Sequence, residues 1–244
     1  MVSRTSRICS GLVLAGLFAF VLLTALAAAA YPGGTFCEPA ADSYRFWGNF
    51  FCDLTQPVTL RGVDNSLAQR FSEASFIAFS LALLPFFWLL GSVVQRRAEA
   101  NHHASGATPR PSPGSRAVRA LGAISALGTN VVAWLPSGTS PVLHQAAVFA
   151  ATIPGLTASV LGLAALVSQA LSANAGGTLR TSAVFGCAVL LFGVSDALGY
   201  AYAVAVPSQC YPWLPVLQKL AGLFLLAWML SIARLGSKRV EPEI

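Results

Sequence analysis

Apolar residues fall in six long blocks separated by polar breaks, and no block alternates polar and apolar positions with a period of two. A helix needs about 20 apolar residues to cross roughly 30 Å of hydrocarbon. The blocks at about 11–30, 67–94, 117–135, 141–171, 181–206 and 213–235 all reach that length. A lipid-facing barrel would show the missing alternation. The pattern therefore predicts an all-α polytopic membrane protein, a single domain over 1–244 with six transmembrane helices. The first block also has the layout of a cleavable leader, with Arg4 and Arg7 before it and alanines after it. Its apolar run exceeds the 7–15 residues of a leader core, so an uncleaved helix is expected.

The breaks between blocks differ in kind. Residues 95–116 are polar and rich in Pro, Gly and Ser, which reads as a flexible linker. Residues 31–66 form the long outer loop between helices one and two, and loops of that length are often functional. Tyr31, Phe36, Tyr44, Phe46, Trp47, Phe50 and Phe51 crowd it. Aromatic side chains favour the headgroup level of a bilayer. A short helix capped by Ser43 and running to Leu54 would pair Phe46 with Phe50 and Trp47 with Phe51 at i,i+4. Arg45, Asn49 and Asp53 would recur on another of its faces. Such a segment would lie in the interface or cover the mouth of the bundle. Asp64 and Asn65 are natural caps for the second helix.

Charge changes the picture next. Only 10% of the residues are charged and 55% are hydrophobic. A soluble domain is about 25% charged, and disorder needs low hydrophobicity with high charge. Eleven of the 15 Lys and Arg residues lie on the side that holds both termini, against Arg45, Arg61, Arg70 and Lys219 elsewhere. That asymmetry predicts cytoplasmic termini and a multi-pass protein of the plasma (inner) membrane. The net charge of +6 is then a topology signal, and membrane lipids rather than nucleic acid are the expected partners. A protein partner in the membrane stays open, as does the oligomeric state.

Ionisable groups within spans are costly and are functional candidates by default. Here the polar and ionisable candidates are Asn130, His144, Asp196 and Lys219, with Glu73 near the outer end of helix two. At about 1.5 Å per residue, the first four lie roughly 5–15 Å below the outer helix ends. They predict a polar layer or small cavity opening outward, with Tyr200 at i+4 from Asp196 sharing its site. A lone intramembrane carboxylate must pair or be neutralised. Asp196 therefore reads either as a clamp to Lys219 or His144 that fixes helix packing, or as a ligand-binding group. Pro141-Val142-Leu143-His144-Gln145 and Pro215-Val216-Leu217-Gln218-Lys219 open two helices alike, placing His144 opposite Gln218. Ser195 with Gly199, and Gly155 with Ser159, are small-residue pairs that predict close helix contacts. Cys37, Cys52 and Cys210 share the outer side; if that compartment is oxidising, a Cys37–Cys52 bridge would close a loop of about 15 residues, with Cys210 as the competing partner.

No cofactor is indicated. Walker and dinucleotide patterns are absent, and Gly193-Val194-Ser195-Asp196-Ala197 lacks the second glycine of a nucleophile elbow. His102 and His103 lie across the membrane from His144, so the histidines form no metal set.

Tyr31-Pro32-Gly33-Gly34-Thr35, Asn49-Phe50-Phe51-Cys52-Asp53-Leu54 and Asp64-Asn65 resemble a bacterial membrane family catalogued as domain of unknown function 998. Leu217-Gln218-Lys219-Leu220 with Trp228, and His144 at its helix start, fit the same pattern. The layout is similar to the Frag1/DRAM/Sfk1 group of six-helix proteins, linked to membrane lipid and trafficking roles. The resemblance implies the six-helix fold and no defined activity. Lys219 stands where the family pattern suggests arginine, and the 95–116 linker is long and basic.

Three functions fit the sequence. The first is a non-enzymatic membrane protein binding a lipid or small amphiphile in an outer-leaflet pocket, with Asp196, Lys219 and His144 on its polar head. The second is an intramembrane hydrolase or transferase using Asp196 and His144. The third is a structural or partner-binding membrane subunit.

Overall fold

The structure, a computed structural model, describes residues 3–104, 112–172, 176–207 and 210–237. Among these the chain is all-helical apart from one isolated bridge between Val58 and Asp64. Six helices, α1 (Arg4–Ala30), α2 (Ser66–Ala104), α3 (Pro113–Trp134), α4 (Pro141–Ala170), α5 (Gly177–Ala205) and α6 (Trp213–Ser237), are each long and apolar enough to cross a membrane. The six predicted spans are all present. The chain is an integral, multi-pass membrane protein.

Helices outrun the apolar blocks because backbone hydrogen bonding, unlike hydropathy, does not stop at the first polar residue. α1 starts at Arg4, where Ser3 Oγ accepts from Ser6 N at 3.1 Å. α2 continues about ten residues past Val94, so the predicted flexible linker 95–116 is helical at both ends. Gln95 Nε2 donates to Glu99 Oε1 at 2.9 Å, and Gln95 Oε1 accepts from Ser112 N at 2.7 Å, tying α2 to the start of α3. Residues 105–111 of that linker lie outside the described residues, as do Lys238 and Arg239, so three basic residues of the orientation argument (Arg110 with these two) are not described.

α2 is the central helix, packing on α1, α3, α4 and α6, while α5 packs between α4 and α6 and α1 touches α6. The main core gathers Phe86, Phe87, Leu90, Trp228 and Met229, all nearly or fully buried. Glycine makes the tightest crossings, as expected where lipid gives no hydrophobic drive and backbones must approach closely. A Cβ on Gly128 of α3 would stand 2.7 Å from the backbone nitrogen of Ala151 in α4. Of the predicted small-residue pairs, Gly155 abuts Ser125 and Gly199 abuts Trp213. Ser195 instead donates back to Leu191 O at 2.8 Å.

The 31–65 segment caps one end of the bundle, called here the lid end. The predicted Ser43–Leu54 helix does not form; only a 3-10 turn, η1 (Phe51–Thr55), is present. Asn49 Oδ1 accepts from Arg45 N at 2.9 Å, a local side-chain bond that competes with a helix. Ser43 Oγ donates to Asp42 instead of capping. At the start of α2, Asp64 Oδ2 accepts from Ser66 Oγ at 2.8 Å, while the Asn65 amide donates inward to Gln56 O at 2.7 Å. Of the three cysteines at the lid end, Cys37 and Cys210 are bonded and Cys52 is free. The disulfide joins the lid to the α5–α6 connection.

Two outcomes check this packing. Gly128→Leu should cost about 3 kcal/mol, the upper end of the usual overpacking range, because the clash is with backbone, measured as a collapse of the monodisperse detergent-solubilised peak. Gly11→Leu, where a Cβ meets nothing within 4 Å, should leave that peak unchanged. Non-reducing peptide mapping should link Cys37 to Cys210. Cys37→Ser should lower stability by up to about 5 kcal/mol in the chain-entropy picture.

Candidate functional site

The site is organised around one buried cation. Lys219 sits about 9 Å along α6 from its lid-end start and has no exposed surface. Its Nζ donates to Asn49 O at 2.7 Å and lies 3.9 Å from the centre of the Phe51 ring. The Phe46 and Tyr44 rings stand at 5.6 and 5.8 Å. Burying an ammonium costs several kcal/mol; a carbonyl and three ring faces replace its water shell.

Asn49 converts that contact into loop structure. It is fully buried, and its Nδ2 donates to Gly34 O at 2.7 Å and to Asp53 Oδ2 at 2.9 Å. Asp53 Oδ2 also accepts from Phe50 N at 2.9 Å. Beside Lys219, Gln218 Oε1 accepts from Phe51 N at 2.8 Å. On the far side Gln56 bonds Ser137 Oγ and accepts from Gly138 N at 2.8 Å, reaching the α3–α4 turn. The lid is thus pinned to α6, to the α3–α4 turn and, through the disulfide, to the α5–α6 connection.

Two cavities lie under it. The larger, about 510 Å³, is almost wholly apolar and takes side chains from all six helices, with Tyr44, Phe46 and Phe51 as its roof. The smaller, about 370 Å³, is a mixed chamber between the lid, the α3–α4 turn, α4 and α5, largely apolar in its walls but carrying more polar groups than the first. Cys52, Asp53, Gln56, His144, Asp196 and Tyr200 line it. Thr152, Asp196 and Gln218 belong to both walls, so the cavities adjoin across a thin partition.

The expected Asp196 clamp is not formed. The one ion pair among the described residues is Arg45 with Glu38, at the surface. Lys219 is committed to Asn49 and the rings. His144 Nδ1 lies 2.5 Å from Leu135 O. A carbonyl only accepts, so Nδ1 carries the proton and Nε2 of the neutral ring is an acceptor. Neither Asn130 nor Glu73 lines either cavity; Glu73 accepts from Gln69 Nε2 at 2.8 Å on its own helix. Their depth matched the polar layer, but their helix faces did not. Gln56 and Thr152 were not legible beforehand, because their partners are distant in sequence. His144 and Gln218, at matching positions of the repeated Pro-Val-Leu opening, both line the chamber.

Electrostatics of the lid side follow from burial. Burial, then Asp53, pushes the Cys52 thiol up to about 12, so it stays protonated and is a poor nucleophile. The Tyr31 and Tyr44 hydroxyls are raised for the same two reasons. Burial pushes the Asp53 carboxyl up to about 6, against the bonds from Asn49 and Phe50 and the attraction of Lys219. In an unfolded chain it would titrate near 3.9. The folded state therefore binds the proton more tightly. The associated stability is complete below about pH 4 and is lost as pH rises through about 6. The melting temperature should fall across that window, and Asp53→Asn should flatten that fall; an unchanged profile would contradict the assignment. No family model matches the chain, and no curated protein or solved structure matches it.

Proposed function

We propose that this protein holds a membrane lipid or small amphiphile, its polar head in the chamber beside Asp196 and His144 and its hydrocarbon in the apolar cavity. The observation that carries this reading is the shared partition of Thr152, Asp196 and Gln218. Ligand sites are mostly apolar hollows with a few convergent polar groups; here the apolar and polar parts are separate and adjoining. Val21, Ala25 and Leu223 line the large cavity and are also exposed. They favour entry of a chain sideways from the bilayer between α1 and α6. The lid end faces away from the cytoplasm in this proposal, consistent with its disulfide and with the placement of most basic residues at the other end. Membership of the family of domain of unknown function 998 is proposed with it, because Asn49, Asp53 and His144, which carry the resemblance, build the lid and chamber.

The hydrolase reading is less favoured. Asp196 and His144 share a chamber, but they make no ion pair and the nearby thiol stays protonated. A purely structural role leaves both cavities unused.

Gently purified protein should carry a bound amphiphile in native mass spectrometry. Thr152→Trp, which places a large ring in the partition, should remove most of that adduct while the melting temperature of the ligand-free protein moves little. A bare wild type, or an adduct retained in the folded variant, would refute the reading.

A further inference from the structure

The smaller chamber has a definite charge preference. No Lys or Arg lines it, whereas two carboxylates, Asp53 and Asp196, do. Lys219 faces both from α6, yet its Nζ is turned to Asn49 O and to the Phe51 ring. With all three ionised, the buried set carries one excess negative charge. Asp53 spends an oxygen on two donors. The Asp196 carboxyl, within α5, has no hydrogen bond or ion pair among the described residues, which leaves both of its oxygens to accept. His144, only 2% exposed, also offers an acceptor, because its proton is held on Nδ1 by Leu135 O. Phe36, Phe50, Phe149 and Tyr200 supply aromatic walls, and ring faces attract cations and repel anions.

From this combination we infer that the head group taken by the chamber is an ammonium bearing N–H donors: the ligand is an amine-headed amphiphile. Its charge balances the excess carboxylate. Its donors meet Asp196 and His144 Nε2, and its hydrocarbon crosses the partition into the apolar cavity. A bare metal cation fits less well. It would use neither the aromatic walls nor the adjoining apolar volume, and no cluster of three or more metal-ligating side chains occurs among the described residues. This inference rests on the amphiphile reading above and names its ligand class.

The test uses the full chain in uncharged maltoside micelles and three probes of equal chain length: dodecylamine, dodecanol and dodecanoate. Apparent affinities come from native mass spectrometry over a concentration series. Dodecylamine should bind at least about tenfold more tightly than dodecanol, a difference of about 1.4 kcal/mol, and dodecanoate should bind least. Asp196→Asn should bring the amine and the alcohol to near parity. Equal binding of amine and alcohol by the wild type would overturn the ammonium inference and leave the amphiphile reading standing. Tightest binding of dodecanoate would do the same. Binding of none of the three would overturn both. A folded Asp196→Asn protein that keeps the full preference would also overturn the inference. If that variant does not fold, the wild-type comparison decides alone.

Discussion

A single ammonium buried at the lid end is the constraint on which the site depends. Lys219 has left water and must be repaid locally, and the surrounding helices offer it no carboxylate within ion-pair distance. The lid supplies the compensation as a main-chain carbonyl and aromatic faces. Because the carbonyl belongs to Asn49, the same contact fixes the residue that gathers Gly34, Arg45 and Asp53. A loop with almost no regular secondary structure is thereby given one shape. The roof of the apolar cavity and the wall of the chamber follow from that shape.

Holding the cation through a carbonyl also leaves the carboxylates unspent. Had Asp196 closed directly on Lys219, the partition would be a neutral pair and the chamber would have little charge character. Instead the cation stabilises the lid while the Asp196 carboxyl remains available at the partition. In the proposed reading, that division places attraction for a positive head where the chamber meets the apolar hollow. An amphiphile has its own boundary between head and tail at the corresponding point.

The fold was legible because crossing hydrocarbon imposes length and composition on every span, and all six appeared as apolar blocks. Helix ends were less legible: α2 extends to Ala104 on hydrogen bonds that hydropathy does not register. Asp196, His144 and Tyr200 could be placed together because rarity and depth mark such residues. Asn130 and Glu73 passed the same filter and failed on helix face, which depends on how neighbouring helices rotate. The recurrence of Arg45, Asn49 and Asp53 reflected a real association, but in a turn built by the Asn49 side chain rather than on a helix. Three cysteines at the lid end allowed more than one pairing. Only the approach of the lid to the α5–α6 connection selects Cys37 with Cys210.

That disulfide has a consequence for the order in which the molecule is completed. Its two sulfurs are 173 residues apart, one between the first two helices and the other between the last two. Synthesis runs from the N-terminus, so Cys210 reaches the lid end only after α5 has been placed across the bilayer. Lys219 arrives later still, on α6. Until then the loop lacks both its covalent tether and its central cation, and the space beneath it stands open to the leaflet. Sealing is therefore the last step of assembly, and the two hollows take their final walls only when α6 brings Gln218 and its neighbours against the other helices.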